Sequence, residues 1–87
     1  MNLLTRTERQ EYYNEISRTT FYQPIIQENG TFEIYNVKEN DLMVILTKLN
    51  SLPFIEYANK SSSKLDLSHL KNGLPTKQYR IIGKIKA

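Results

Sequence analysis

The dipeptide Asn29-Gly30 lies between two β-prone runs, residues 22–28 and 31–37. It constrains the chain more than any other feature. A type I′ turn needs φ > 0 at both central positions, and Asn-Gly meets that demand at low cost. A two-residue loop then sets the register: Glu28 faces Thr31, Ile26 faces Glu33, Ile25 faces Ile34 and Pro24 faces Tyr35. One face carries Ile25, Phe32 and Ile34 without a carboxylate and is assigned to the core. The other carries Tyr22, Ile26, Tyr35 and Val37 with Glu28 and Glu33. Pro24 cannot donate to a ladder, so the first strand is expected at an edge.

Helical signals flank this hairpin. Thr5 and Glu8 have the spacing of a capping box, and a helix over 6–18 follows with Tyr12, Tyr13 and Ile16 on a narrow apolar stripe. Asn40 or Asp41 caps a second helix over 41–51. There Leu42, Ile45, Leu46 and Leu49 recur at i, i+3, i+4 and i+7. Asn50 suits a left-handed C′ position and Pro53 ends the segment. A short strand is expected over 54–58, a flexible polar loop over 59–64, and a short helix over 67–72 capped by Asp66 and stapled by Leu65 and Leu70. A last strand over 77–86 alternates Tyr79, Ile81 and Ile85 with Arg80, Lys84 and Lys86, with a bulge at Gly83.

The expected fold is therefore α+β, one small domain over 1–87 in the order α-β-β-α-β-α-β. The hairpin and two further strands form one antiparallel or mixed sheet, packed by two main helices and one short one. The expected core is Ile25, Phe32, Ile34, Leu42, Ile45, Leu46, Leu49, Ile55, Tyr57, Ile81 and Ile85.

With 87 residues and no cysteine, the chain has neither a disulfide scaffold, a cysteine nucleophile nor a thiolate metal site. The N-terminal stretch lacks an apolar signal-peptide core, and the longest apolar run, 42–46, is too short to span a bilayer. A cytoplasmic protein without membrane contact is expected. Asn, Lys, Ile and Tyr make up 31 residues (8, 8, 9 and 6), all with AT-rich codons, which points to a low-GC genome or its phages and mobile elements.

The net charge of +3 conceals a division. Residues 1–59 carry five cations and eight anions, net −3; residues 60–87 carry seven cations and Asp66 alone, net +6. Lys60, Lys64, Lys71, Lys77, Arg80, Lys84 and Lys86 are therefore the candidate binding residues, with Tyr12 as an aromatic contact. Spaced cations neutralise phosphates or steer docking onto an acidic surface, and Tyr35 or Tyr57 can stack on bases if the sheet face is open. There is no RNP-like aromatic motif, recognition-helix pattern or zinc-finger spacing. His69, with Asp66 three residues before it, is the one candidate proton shuttle; Ser61, Ser62 and Ser63 lack a nucleophile-elbow context.

The expected function is a non-enzymatic accessory or inhibitor protein of a phage or mobile element, for example of an anti-defence type, docking on a protein or nucleoprotein partner. The alternative is a small RNA- or DNA-binding protein using the basic C-terminal third. A lesser alternative is a small nuclease-like enzyme using His69. No metal or small-molecule cofactor is expected.

Overall fold

The computed structural model describes residues 3–66 and 76–86. The elements run α1 (Arg6–Thr20), β1 (Ile25–Ile26), β2 (Thr31–Lys38), α2 (Glu39–Ser51), β3 (Ile55–Asp66) and β4 (Thr76–Ile85). The strands form one sheet in the order β1-β2-β4-β3, antiparallel throughout. This is the expected α+β class. The short helix expected over 67–72, with His69 and Lys71, lies outside the described residues.

Both helices cover the same side of the sheet. Ile16 of α1 and Leu42, Ile45 and Leu49 of α2 share a buried cluster with Phe32, Ile34, Val37, Ile55, Ala58, Ile81 and Ile85. Among the described residues this cluster occupies one face of the sheet, and the outer face contributes nothing to it.

The capping box at α1 is present: Glu8 N–H donates to Thr5 Oγ1 (3.1 Å) and Thr5 N–H to Glu8 Oε1 (2.9 Å). The helix continues past Arg18 to Thr20 and stops at Phe21, which adopts a left-handed φ of 61°. At α2 the expected cap by Asn40 or Asp41 gives way to a longer-range device. Lys38 occupies the N-cap without a side-chain bond. Its backbone N–H donates to Tyr22 Oη (3.2 Å), which donates in turn to Asp41 Oδ2 (2.9 Å). The tyrosine hydroxyl thus bridges two groups that a capping box would join directly, and ties the chain after α1 to the start of α2. Burial holds the Tyr22 phenol above its usual value; the Asp41 hydrogen bond and charge add to this, and the Lys38 N–H opposes it.

The hairpin register corrects the sequence expectation. Gly30 alone of the Asn29-Gly30 pair has a positive φ, 93°. Its N–H closes a turn onto Gln27 O (3.0 Å), and Gln27 N–H donates to Thr31 O (2.8 Å). The loop is therefore three residues, Glu28 to Gly30, with glycine in the left-handed position. Ile25 pairs with Glu33, and Ile26 with Phe32. Strand side chains alternate, so this one-residue slip moves Ile25 to the outer face, 53% exposed, and brings Ile26 against the core. β1 does lie at the edge, as Pro24 implies.

Two further corrections come from β-bulges. An irregularity between Ile34 and Val37, with Asn36 at φ 59°, shifts the phase of β2 and buries Val37. A second between Ile55 and Tyr57 turns Tyr57 outward, 41% exposed, and buries Ala58 in its place. Residues 59–64, expected as a flexible loop, belong to β3. Asn50 stays helical. Its side chain donates to Ala58 O (3.0 Å) and accepts from Ala58 N–H (3.0 Å), closing the outer edge of β3 at that residue.

The bulge expected at Gly83 is not there, since both ladders run through it in register; glycine is required by a close approach instead. A Cβ there would lie 2.3 Å from the Phe32 ring and 2.6 Å from Tyr57 O. Phe32 pairs with Gly83 across the β2–β4 ladder and is fully buried, so its ring fills the space that a β4 side chain would take. Burying such a ring contributes about 2–3 kcal/mol. Gly83→Ala is expected to lower the unfolding free energy by about 3 kcal/mol, since neither contact can yield without moving β2 or β3; urea denaturation measures it.

Tyr22→Phe is expected to cost about 1–2 kcal/mol, because the phenol donates to the Asp41 carboxylate in a part-buried bond, while the exposed Lys38 N–H can turn to water. The raised phenol value also has a pH consequence. The folded state holds this proton more tightly than the unfolded chain. Its stabilisation is therefore complete below the unfolded value, about 10, and is lost as pH rises through the folded one. Stability of the native protein is expected to fall above about pH 10 more steeply than that of the Tyr22→Phe variant. Parallel denaturation series at pH 9 and above, about 11 at the upper end, compare the two slopes.

Candidate functional site

The outer face is read from the ladder. Ile81, Gly83 and Ile85 of β4 face the helices, so Arg80, Ile82 and Lys84 face away. Thr31, Glu33 and Tyr35 of β2 join them, and β3 adds Tyr57, Asn59 and Ser61. Tyr57 and Thr31 pair with Lys84 from either side, and Glu33 and Asn59 pair with Ile82. Among the described residues no element lies over this face. Tyr35 and Tyr57 are 43% and 41% exposed, while Arg80, Ile82 and Lys84 are half-buried among their neighbours.

Arg80 occupies an unusual position. β2 advances three residues, Ile34 to Val37, while β4 passes two, Ile81 to Tyr79. β3 likewise advances three, Lys60 to Ser63, over the same two residues of β4. Both neighbours therefore bulge opposite Arg80. Bulges redirect side chains and increase local twist. Here they bring three groups together. The guanidinium carbon lies 5.8 Å from the Tyr35 ring centroid, Nη2 donates to Ser61 Oγ (3.1 Å), and Nε is buried with no hydrogen-bond partner among the described residues. The Tyr35 hydroxyl is hydrogen-bonded to Glu33, so ring and carboxylate are both oriented. A planar guanidinium held against an aromatic ring presents its in-plane donors to a carboxylate or phosphate.

The structure divides the cations singled out in the sequence. Arg80 and Lys84 share the outer face of the central strand. Lys60 pairs with Ile81 on the helix side, its Nζ 5.4 Å from the Tyr79 ring, and Lys86 is exposed just beyond β4. Lys64 and Lys77 lie in β3 and β4, paired with Gln78 and Leu65. Tyr12 is half-buried and stacked on Phe54 (centroids 4.8 Å apart, 28° between planes), so its ring packs against the core and lies apart from the outer face. Sequence reasoning placed Glu33 with Tyr35 on the face away from the core, but missed Ile82 and Ser61 as parts of that surface and the bulge at Asn36. Asn36 carried a signal, because Asn tolerates the left-handed region better than other residues with a side chain.

A groove of about 450 Å³ runs between α2 and β3, lined by Met43, Leu46, Thr47 and Asn50 among others. Among the described residues no three His, Cys, Asp or Glu side chains gather as a metal site, and no helix is long and apolar enough to cross a membrane. A scan against protein-family models gave no match, and comparisons with curated proteins and with solved structures gave none.

The β2 bulge rests on Asn36. Asn36→Val is expected to destabilise the fold by about 1–2 kcal/mol, whereas Asn36→Gly is expected to be neutral or slightly stabilising. Denaturant midpoints of the two variants separate backbone strain from loss of the side chain.

Proposed function

We propose that the protein is a non-enzymatic recognition domain that docks on a macromolecular partner through the outer face of its sheet. One observation carries this reading: Tyr35, Tyr57 and Ile82 lie uncovered, among the described residues, on the same face as Arg80 and Lys84. Tyrosine and arginine dominate recognition surfaces because each combines contact area with directional hydrogen bonding. The charge division supports the same surface, since Arg80 and Lys84 belong to the net +6 segment. An accessory or inhibitor protein of a phage or mobile element, working in the cytoplasm on a protein or nucleoprotein complex, fits this mode of action and the AT-rich composition.

The test is affinity capture from a lysate of the source organism, with and without nuclease treatment. Wild-type protein is compared with a Tyr57→Ala/Arg80→Ala variant of matched thermal stability. The expected result is a stoichiometric partner, protein or nucleic acid, whose capture falls about tenfold or more in the variant, the scale at which two central contacts act. Capture that the double substitution leaves unchanged places recognition elsewhere and overturns the reading.

A further inference from the structure

The chemistry of the outer face can be taken further, on the reading that this face is the recognition surface. Its central strand presents Arg80, Ile82 and Lys84 at alternate positions, with Tyr35 beside Arg80 and Tyr57 beside Lys84. Alternate residues on a strand are about 6.5–7 Å apart, so the two cations lie about 13 Å apart along the face. Each has an aromatic ring next to it, on opposite flanking strands. A ligand that fits must offer repeated negative charge and repeated flat apolar faces along one line.

We infer that the outer face binds single-stranded nucleic acid, with Arg80 and Lys84 on phosphates and bases stacked on Tyr35 and Tyr57. A duplex does not meet this surface, because its bases are stacked on one another and closed to side-chain rings, whereas a single strand can splay them out. An acidic protein segment matches the cations but has no repeated π-face for the rings. The exposed part of Ile82 lies between the two ring positions and gives apolar floor for a base or sugar. The paired bulges have a direct role: they hold the Arg80 guanidinium against Tyr35 and Ser61, so an arriving phosphate meets an oriented donor. Glu33 opposes the ligand's charge from the same face, held by the Tyr35 hydroxyl.

Fluorescence anisotropy tests this with a labelled mixed-sequence RNA of about 12 nucleotides, its DNA counterpart and the matching DNA duplex, each at two or more salt concentrations. The expected result is binding of one or both single strands in preference to the duplex, with log K falling as log salt rises by at least about 1.4, the contribution of two phosphates on a single strand. Lys84→Gln is expected to reduce that slope by about 0.7. Tyr57→Leu is expected to weaken binding about fivefold or more with the slope unchanged. Glu33→Gln is expected to tighten binding. Thermal melts of each variant confirm that the fold is intact, and Lys84→Gln, at an outer-face position, remains informative if Tyr57→Leu does not fold.

No binding at low salt, equal affinity for duplex, or affinity unmoved by both Lys84→Gln and Tyr57→Leu overturns the inference. The broader reading fails separately. If the lysate experiment captures a protein through Tyr57 and Arg80 while oligonucleotides do not bind, the face is a protein-docking surface and only the nucleic-acid inference is lost.

Discussion

The packing of Phe32 across Gly83 decides which side chains the sheet shows to solvent. Phe32 is fully buried and stands opposite a residue with no side chain, so β2 and β4 lock at that pair. Alternation does the rest. Ile34, Ile81 and Ile85 turn toward the helices, and Arg80, Ile82 and Lys84 turn away. A slip of one residue would place Arg80 and Lys84 in the core and Ile81 in water. The energetic demands of the core thus fix the composition of the candidate site.

The second constraint is local. Bulges weaken a ladder by leaving a residue unpaired on each flanking strand, yet here two of them lie opposite one arginine of the central strand. The left-handed backbone at Asn36 adds strain on the same side. In return Arg80 is set against Tyr35 and Ser61. Phe21, 87% exposed and also at a positive φ, is strained for a different reason: it terminates α1 and lets the chain reach Tyr22, whose hydroxyl organises the start of α2.

Much of this architecture was legible in the sequence, because the strongest signals are local. The Thr5–Glu8 box, the Leu42/Ile45/Leu49 stripe and the alternation of Ile81 and Ile85 each act within a few residues. The misplaced core residues have one physical origin, the backbone irregularity. Asn29-Gly30 favours a two-residue turn by composition, but Gly30 alone took the left-handed state, and the slip exchanged Ile25 for Ile26. The Ile55/Tyr57 bulge took Tyr57 out of the expected core, and the β2 bulge took Val37 into it. The serine run 61–63 looked like a linker because its pairing partner is far away in the chain. The basic third was visible as a charge imbalance, but only tertiary pairing separates Arg80 and Lys84 from Lys60 and sets them beside tyrosines from two other strands.

Among the described residues no element covers the outer face, and the proposed function rests on that face. A small core cannot also enclose a deep cleft, and this chain places aromatic area and oriented cations on a pleated surface, where an extended ligand can lie. The most direct measurement is a titration of isotope-labelled protein with a single-stranded oligonucleotide, followed by backbone amide shifts. Shifts are expected to concentrate at residues 31–35, 57–61 and 80–84. Shifts concentrated on α1 or around Met43 on α2, or a spectrum that does not move, would contradict this.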